Sequence, residues 1–258
     1  MAWIRFQMNA QAMNMPVSFD ALLPEKFDGS EKKWKTLYLL HDFGGDRNDW
    51  LMKTRLRQIV EGLRVDGCLL MIILPEANNS FFVNLPNGCD YAEFISSELV
   101  RFFESNFPVS KESGDRIIAG IGMGGYSALH AALTHPEVFG RAASFEGILD
   151  IFSLYGKNAF SSSPSFRIEH IFGPEAQFRG SENDLFTLVQ SCGAGENKPR
   201  FLMISSQGSS REKEITEFNG AMKKAGLSVV SAALSGNGSD FYDEALRRLI
   251  DSLSRGEL

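Results

Sequence analysis

Strand-like and helix-like segments alternate along this 258-residue chain, and that alternation sets the narrowest limits on its fold. Cys68-Leu69-Leu70-Met71-Ile72-Ile73-Leu74 is an almost unbroken apolar run ended by Pro75, the pattern of a parallel strand covered on both faces. A shorter β-rich run at 35–41 stops at Gly44-Gly45, and 116–119, 139–145, 200–205 and 227–234 read as further strands. Met1 to Gln7 reads as an alternating strand. Between these runs the apolar residues fall at helical spacing: Leu56, Ile59, Val60 and Leu63 within 55–64, then Tyr91, Phe94, Ile95, Leu99, Phe102 and Phe103. Asp90 with Glu93 three residues on predicts the N-terminus of the second helix. Helices are also predicted over 126–134, 211–225 and 240–254. Alternation of this kind implies a mostly parallel central sheet with helices on both faces. The stretch 151–199 is rich in Ser, Gly, Pro and Phe and weakly periodic. It is expected to be a small insertion over the C-terminal strand ends, where such sheets bind ligands. No repeat, linker or low-complexity tract divides the chain, so 1–258 is expected to be one domain.

Charge excludes some function classes. With 26 Lys+Arg against 32 Asp+Glu the net charge is -6, which offers no basic field to a phosphate backbone, so no nucleic-acid partner is expected. No apolar run approaches the roughly 18–20 residues of a membrane helix, so no membrane partner is expected either. The first residues lack the basic and apolar parts of a signal segment. Cys68, Cys89 and Cys192 are odd in number and lack framework spacing, which predicts reduced thiols and a cytoplasmic location.

The segment Arg116-Ile117-Ile118-Ala119-Gly120-Ile121-Gly122-Met123-Gly124-Gly125-Tyr126-Ser127 carries the most chemistry. A strand enters a glycine-rich turn and a helix leaves it. This is the frame of the G-x-S-x-G nucleophile elbow, in which a strained turn exposes a serine hydroxyl above the sheet. The central position here is Gly122, not serine. Gly120 to Gly125 also satisfies G-x-G-x-x-G, with Glu146 at a tolerable distance for a ribose contact. A dinucleotide site is therefore an alternative, although a lone match outside the first strand–helix unit is a weak signal.

Several segments together resemble the tributyrin esterases, close relatives of S-formylglutathione hydrolase (esterase D) among the α/β-hydrolases. They are Leu37-Tyr38-Leu39-Leu40-His41-Asp42-Phe43-Gly44-Gly45, Asn84 to Tyr91, Gly120 to Ala128, His135-Pro136-Glu137-Val138-Phe139 and Gly180 to Phe186, with the early run Leu22-Leu23-Pro24-Glu25. The resemblance implies an α/β-hydrolase fold and hydrolysis of short acyl esters by a Ser-His-Asp triad without a cofactor. It also implies an oxyanion hole built from the backbone N–H groups of Phe43 and Met123. A small acyl or apolar ligand is the expected partner, and a homo-oligomer is expected because the resembled esterases often form one.

All three triad positions depart from that pattern. Gly122 holds the nucleophile position. Counting back from Phe218 places Ser209 at the acid position, and alignment on Asp240-Phe241-Tyr242 places Asn237 at the base position, with Gly238 as the ungapped alternative. No histidine follows His170. Gly122 has no oxygen to attack a carbonyl, and Asn237 cannot accept a proton near neutral pH. Loss of a triad leaves about 10³–10⁴-fold over water, from the oxyanion hole and binding. Asp42, where the family usually has glycine, threatens even that. A carboxylate about 4 Å from a developing oxyanion costs on the order of 4 kcal/mol at an effective dielectric of about 20. These residues predict an esterase-like protein that binds a ligand or partner rather than hydrolysing esters. An active hydrolase using non-standard residues is the alternative. Its candidates are His41, read here as a structural histidine, and Cys89, which has no evident base. His130, His135 and His170 read as structural or exposed. Asp42, Asp46 and Asp49 match no metal-site spacing and read as a solvated acidic loop, so no metal is expected. Phe81, Phe82 and Phe166 are candidates to line an apolar pocket.

Overall fold

The computed structural model describes every residue except 25–32, 62–63, 66, 87, 158–159, 161–162, 164–165 and 237. Nine strands form one sheet: β1 (Ala2–Ala10), β2 (Met15–Leu23), β3 (Lys35–Leu40), β4 (Arg64–Val65), β5 (Cys68–Leu74), β6 (Arg116–Ile121), β7 (Arg141–Phe145), β8 (Arg200–Ser206) and β9 (Ser228–Leu234). Their order is β1-β2-β5-β3-β6-β7-β8-β9, with two-residue β4 paired antiparallel to β5. From β5 to β9 that path is parallel, and the β1–β2 hairpin joins it antiparallel through β2 and β5. The apolar runs that predicted β3 and β5 are central strands, with Leu37, Ile72 and Ile73 fully buried.

Residues alternating along the strands feed two cores, one on each face of the sheet. On one face Tyr38, Ile73, Ile118 and Met203 meet the helices Met123–Thr134, Leu185–Ala194 and Glu212–Lys224. On the other, Leu37, Ile72, Ala119 and Ile204 meet Asp49–Met52, Leu56–Val60 and Gly238–Ser254. The helix predicted over 55–64 stops at Val60, because the chain turns into β4. Asp90 precedes the next helix but makes no side-chain cap; the Asn84 side chain accepts the Ala92 and Glu93 N–H groups instead. Within that helix Phe94–Glu98 forms a π-helical turn, and Phe94, Ile95, Leu99 and Phe103 are buried as their spacing predicts.

Two features depart from the sequence reading. β2 was not apparent in the pattern, since Pro16 and Asp20 interrupt its apolar residues. Asp20 is nonetheless fully buried, because Trp3 and Arg5 on the facing strand reach across to its carboxylate. The weakly periodic stretch 151–199 is also not all one kind of structure. Its helix Leu185–Ala194 belongs to the layer beside Met123–Thr134, while Phe160, Phe166 and Phe172 reach over to the loops that follow β3 and β5. Among the described residues no helix is long and apolar enough to cross a membrane.

Candidate active site

β3 and β6 lie side by side, with Leu40 paired to Gly120, so the loop after β3 and the turn after β6 emerge together at their C-terminal ends. Gly122 sits at the tip of that turn with φ 52° and ψ -109°. A side chain there costs about 1–3 kcal/mol, whereas glycine adopts positive φ freely. The turn is pinned by its backbone: the Gly122 N–H donates to Phe145 O at 2.9 Å, and the Gly122 carbonyl accepts from Tyr126 and Ile148, each at 3.1 Å. The other glycines of the motif allow close packing. A Cβ on Gly124 would lie 2.6 Å from the carbonyl oxygens of Leu40 and His41, and one on Gly120 would lie 2.4 Å from Gly124.

The Phe43 and Met123 N–H groups converge, and a carboxylate already lies between them. Asp42 Oδ1 accepts from Phe43 at 2.7 Å and from Met123 at 2.8 Å. A Cβ built on Gly122 would fall 2.0 Å from the same oxygen and 2.5 Å from Asp42 Cγ. The Asp42 carboxylate thus sits between the two N–H groups that the resemblance assigns to an oxyanion hole, and it fills the volume that a residue-122 side chain would need. Its charge is well placed, since Met123 opens a helix whose N-terminal dipole favours an anion. The same occupancy takes the first N–H of the helix, one of the donors a pyrophosphate there would use.

His41 is buried with both ring nitrogens used. Nδ1 lies 2.9 Å from Asp42 O, an acceptor only, so Nδ1 carries a proton, while Nε2 lies 3.2 Å from the Ala77 N and 3.3 Å from Glu76 Oε1. Nearby Glu76 is held at a carboxyl pKa of about 2. Burial pushes it up, but His41 and the N–H groups of Asn78 and Arg47 outweigh that. Beside Asp42 a cleft of about 180 Å³ opens, lined among others by Phe43, Asp49, Trp50, Lys53 and Tyr242. Burial, then the Asp42 carboxylate, raises the Tyr242 hydroxyl above its ordinary range.

Ser209 lies in the turn after β8, where its hydroxyl donates to Glu146 Oε2 at 2.6 Å. Glu146, at φ 48°, also accepts the Ser206 N–H through Oε1 at 2.5 Å, so its carboxylate ties the loops after β7 and β8 together. Sequence alone offers Glu146 only as a ribose ligand, because its serine partners lie some 60 residues further on. Asn237 lies outside the described residues; its alternative Gly238 starts the last helix, exposed and at φ 57°. The remaining candidates are engaged in contacts of their own. His130 bonds to Glu182 O and is pushed down to about 4 by burial, His135 faces Glu137, and the Cys89 thiol donates to Met13 O. Asp46 accepts the Asn48 N–H and Asp49 pairs with Lys53 at 2.7 Å. Among the described residues no cluster of three potential metal ligands exists. Phe81 and Phe82 are fully buried at positive φ rather than lining a pocket, and Phe166 packs on Phe43 and Phe160.

Residues 10–225 match the family described as "Putative esterase". An acetyl esterase of Caldicellulosiruptor saccharolyticus is 26% identical over 99% of both chains. Among solved structures, the Staphylococcus aureus serine hydrolase FphF superposes with a TM-score of 0.87 at 23% identity over 98% of both chains. S-formylglutathione hydrolase (FrmB) of the same organism gives 0.84 at 23% identity and the same coverage.

Proposed function

This chain belongs to the esterase family of α/β-hydrolases, and from that premise we propose that it is a non-hydrolytic member, a binding protein on an esterase framework. One observation carries the reading. The Asp42 carboxylate takes both N–H groups that would stabilise a tetrahedral oxyanion and overlaps the space above Gly122. An acyl carbonyl entering there would meet a negative oxygen in place of two donors, the reverse of what acyl transfer requires. Attack also needs a nucleophile with a base in hydrogen-bond reach. Gly122 has no side chain, the Ser209 hydroxyl hydrogen-bonds to Glu146, and buried His41 has Nδ1 on Asp42 O and Nε2 against the Ala77 N–H and Glu76, out of reach of any nucleophile at residue 122. In the same reading 1–258 acts as one domain and needs no cofactor.

Purified protein offered p-nitrophenyl acetate and butyrate should release p-nitrophenol no faster than a heat-denatured control, and a fluorophosphonate probe should leave it unlabelled. Turnover on the order of 1 s⁻¹ or more, the low end of ordinary enzymes, would overturn the reading.

A further inference from the structure

In the cleft beside Asp42 charged side chains meet aromatic walls and open volume. Asp42 Oδ1 is spent on Phe43 and Met123, whereas Oδ2 has no hydrogen-bond or ion-pair partner among the described residues. The other carboxylate lining the cleft, Asp49, is neutralised by Lys53 at 2.7 Å. Arg211, whose charge reaches the Tyr242 hydroxyl, donates to Glu146 O. Asp42 is thus the cleft's carboxylate without a cation. Its walls include Trp50 and Tyr242, whose ring centroids are 6.0 Å apart and inclined at 53°. Trp50 is fixed by an indole N–H bond to Leu40 O at 3.0 Å.

We propose that this cleft binds a small alkylammonium compound, its N–H donating to Asp42 Oδ2 and its alkyl part lying against the rings of Trp50 and Tyr242. This rests on the non-hydrolytic reading above, since it gives the carboxylate in the hole a use other than catalysis. A carboxylate is the acceptor that gives an ammonium its strongest hydrogen bonds. Two backbone bonds already immobilise the carboxylate, so a ligand loses little affinity to ordering it. At about 180 Å³ the volume is below the roughly 300–1,000 Å³ usual for small-molecule pockets, which restricts the ligand to a few heavy atoms.

The test compares n-butylammonium chloride, 1-butanol and sodium butyrate on the whole protein, in phosphate buffer at matched ionic strength, by thermal shift and calorimetric titration. Butylammonium should raise Tm saturably and the other two should not. Asp42→Asn keeps an acceptor for the two N–H groups but removes the charge, and should weaken butylammonium binding about tenfold or more. No shift with butylammonium, an equal shift with butanol or butyrate, or unchanged affinity in Asp42→Asn would each overturn the proposal. The comparison of the three compounds needs no variant, so a misfolded Asp42→Asn leaves the proposal falsifiable. Ester turnover by the same preparation would sink the non-hydrolytic reading whatever the amine does, whereas no turnover and no amine binding sinks this proposal alone.

Discussion

Gly122→Ser returns a hydroxyl to the elbow, and the structure says what that costs. The backbone at φ 52° and ψ -109° is one a side chain rarely adopts, for about 1–3 kcal/mol. The new Cβ also lands 2.0 Å from Asp42 Oδ1, so the carboxylate must leave its two N–H donors. Each such charge-assisted bond contributes about 1.5–3 kcal/mol when fully shielded. Asp42 is only half-buried and water can replace part of what is lost, so displacement adds about 1–2 kcal/mol for the pair. Gly122→Ser should therefore destabilise the fold by about 2–5 kcal/mol. In an Asp42→Gly background no carboxylate remains to displace, and only the backbone strain of about 1–3 kcal/mol is left. A double-mutant cycle in urea, followed by tryptophan fluorescence, should return a coupling of about 1–2 kcal/mol between the two sites. The entropy of the new glycine appears on both sides of the cycle and cancels. Additive effects would mean that residue 122 and the Asp42 carboxylate do not share that space.

Other perturbations read neighbouring parts of the framework. Ser209→Asp would set a second carboxylate where the serine hydroxyl now donates to Glu146. That should cost about 1–3 kcal/mol at pH 7 and less at pH 4, because like charges raise one carboxyl and protonation relieves it; equal cost at both pH values in urea unfolding would refute the pairing. His130 is pushed down to about 4 by burial, so the unfolded chain takes the proton first. Its contribution to stability is complete above about pH 6.5 and falls away toward pH 4, by about 3 kcal/mol at most. His130→Gln should flatten that limb of the urea midpoint against pH, and an unchanged limb would show that His130 does not supply it.

The sheet was legible because its strands are apolar runs whose covering on both faces leaves little choice of fold, as in β5 with Ile72 and Ile73. The strand–turn–helix around Gly122 was legible from glycine spacing alone. β2 was not, since the burial of Asp20 depends on Trp3 and Arg5 arriving from a strand whose register sequence does not reveal. The Asp42 anomaly was visible as a charge beside the expected hole, but its consequence depends on one side-chain rotamer, which no spacing encodes. Glu146 illustrates the same limit: its partners Ser206 and Ser209 lie some 60 residues away and meet it only once β7 and β8 pair.

The Asp42 carboxylate accepts from the N–H groups of both Phe43 and Met123, and those two amides report on it directly. In ¹H–¹⁵N spectra of the isotope-labelled protein, both amide protons should lie downfield, and in Asp42→Gly both should shift upfield while the rest of the spectrum stays in place. A Met123 amide that is unmoved when the Asp42 side chain is removed would show that the carboxylate does not sit on that N–H.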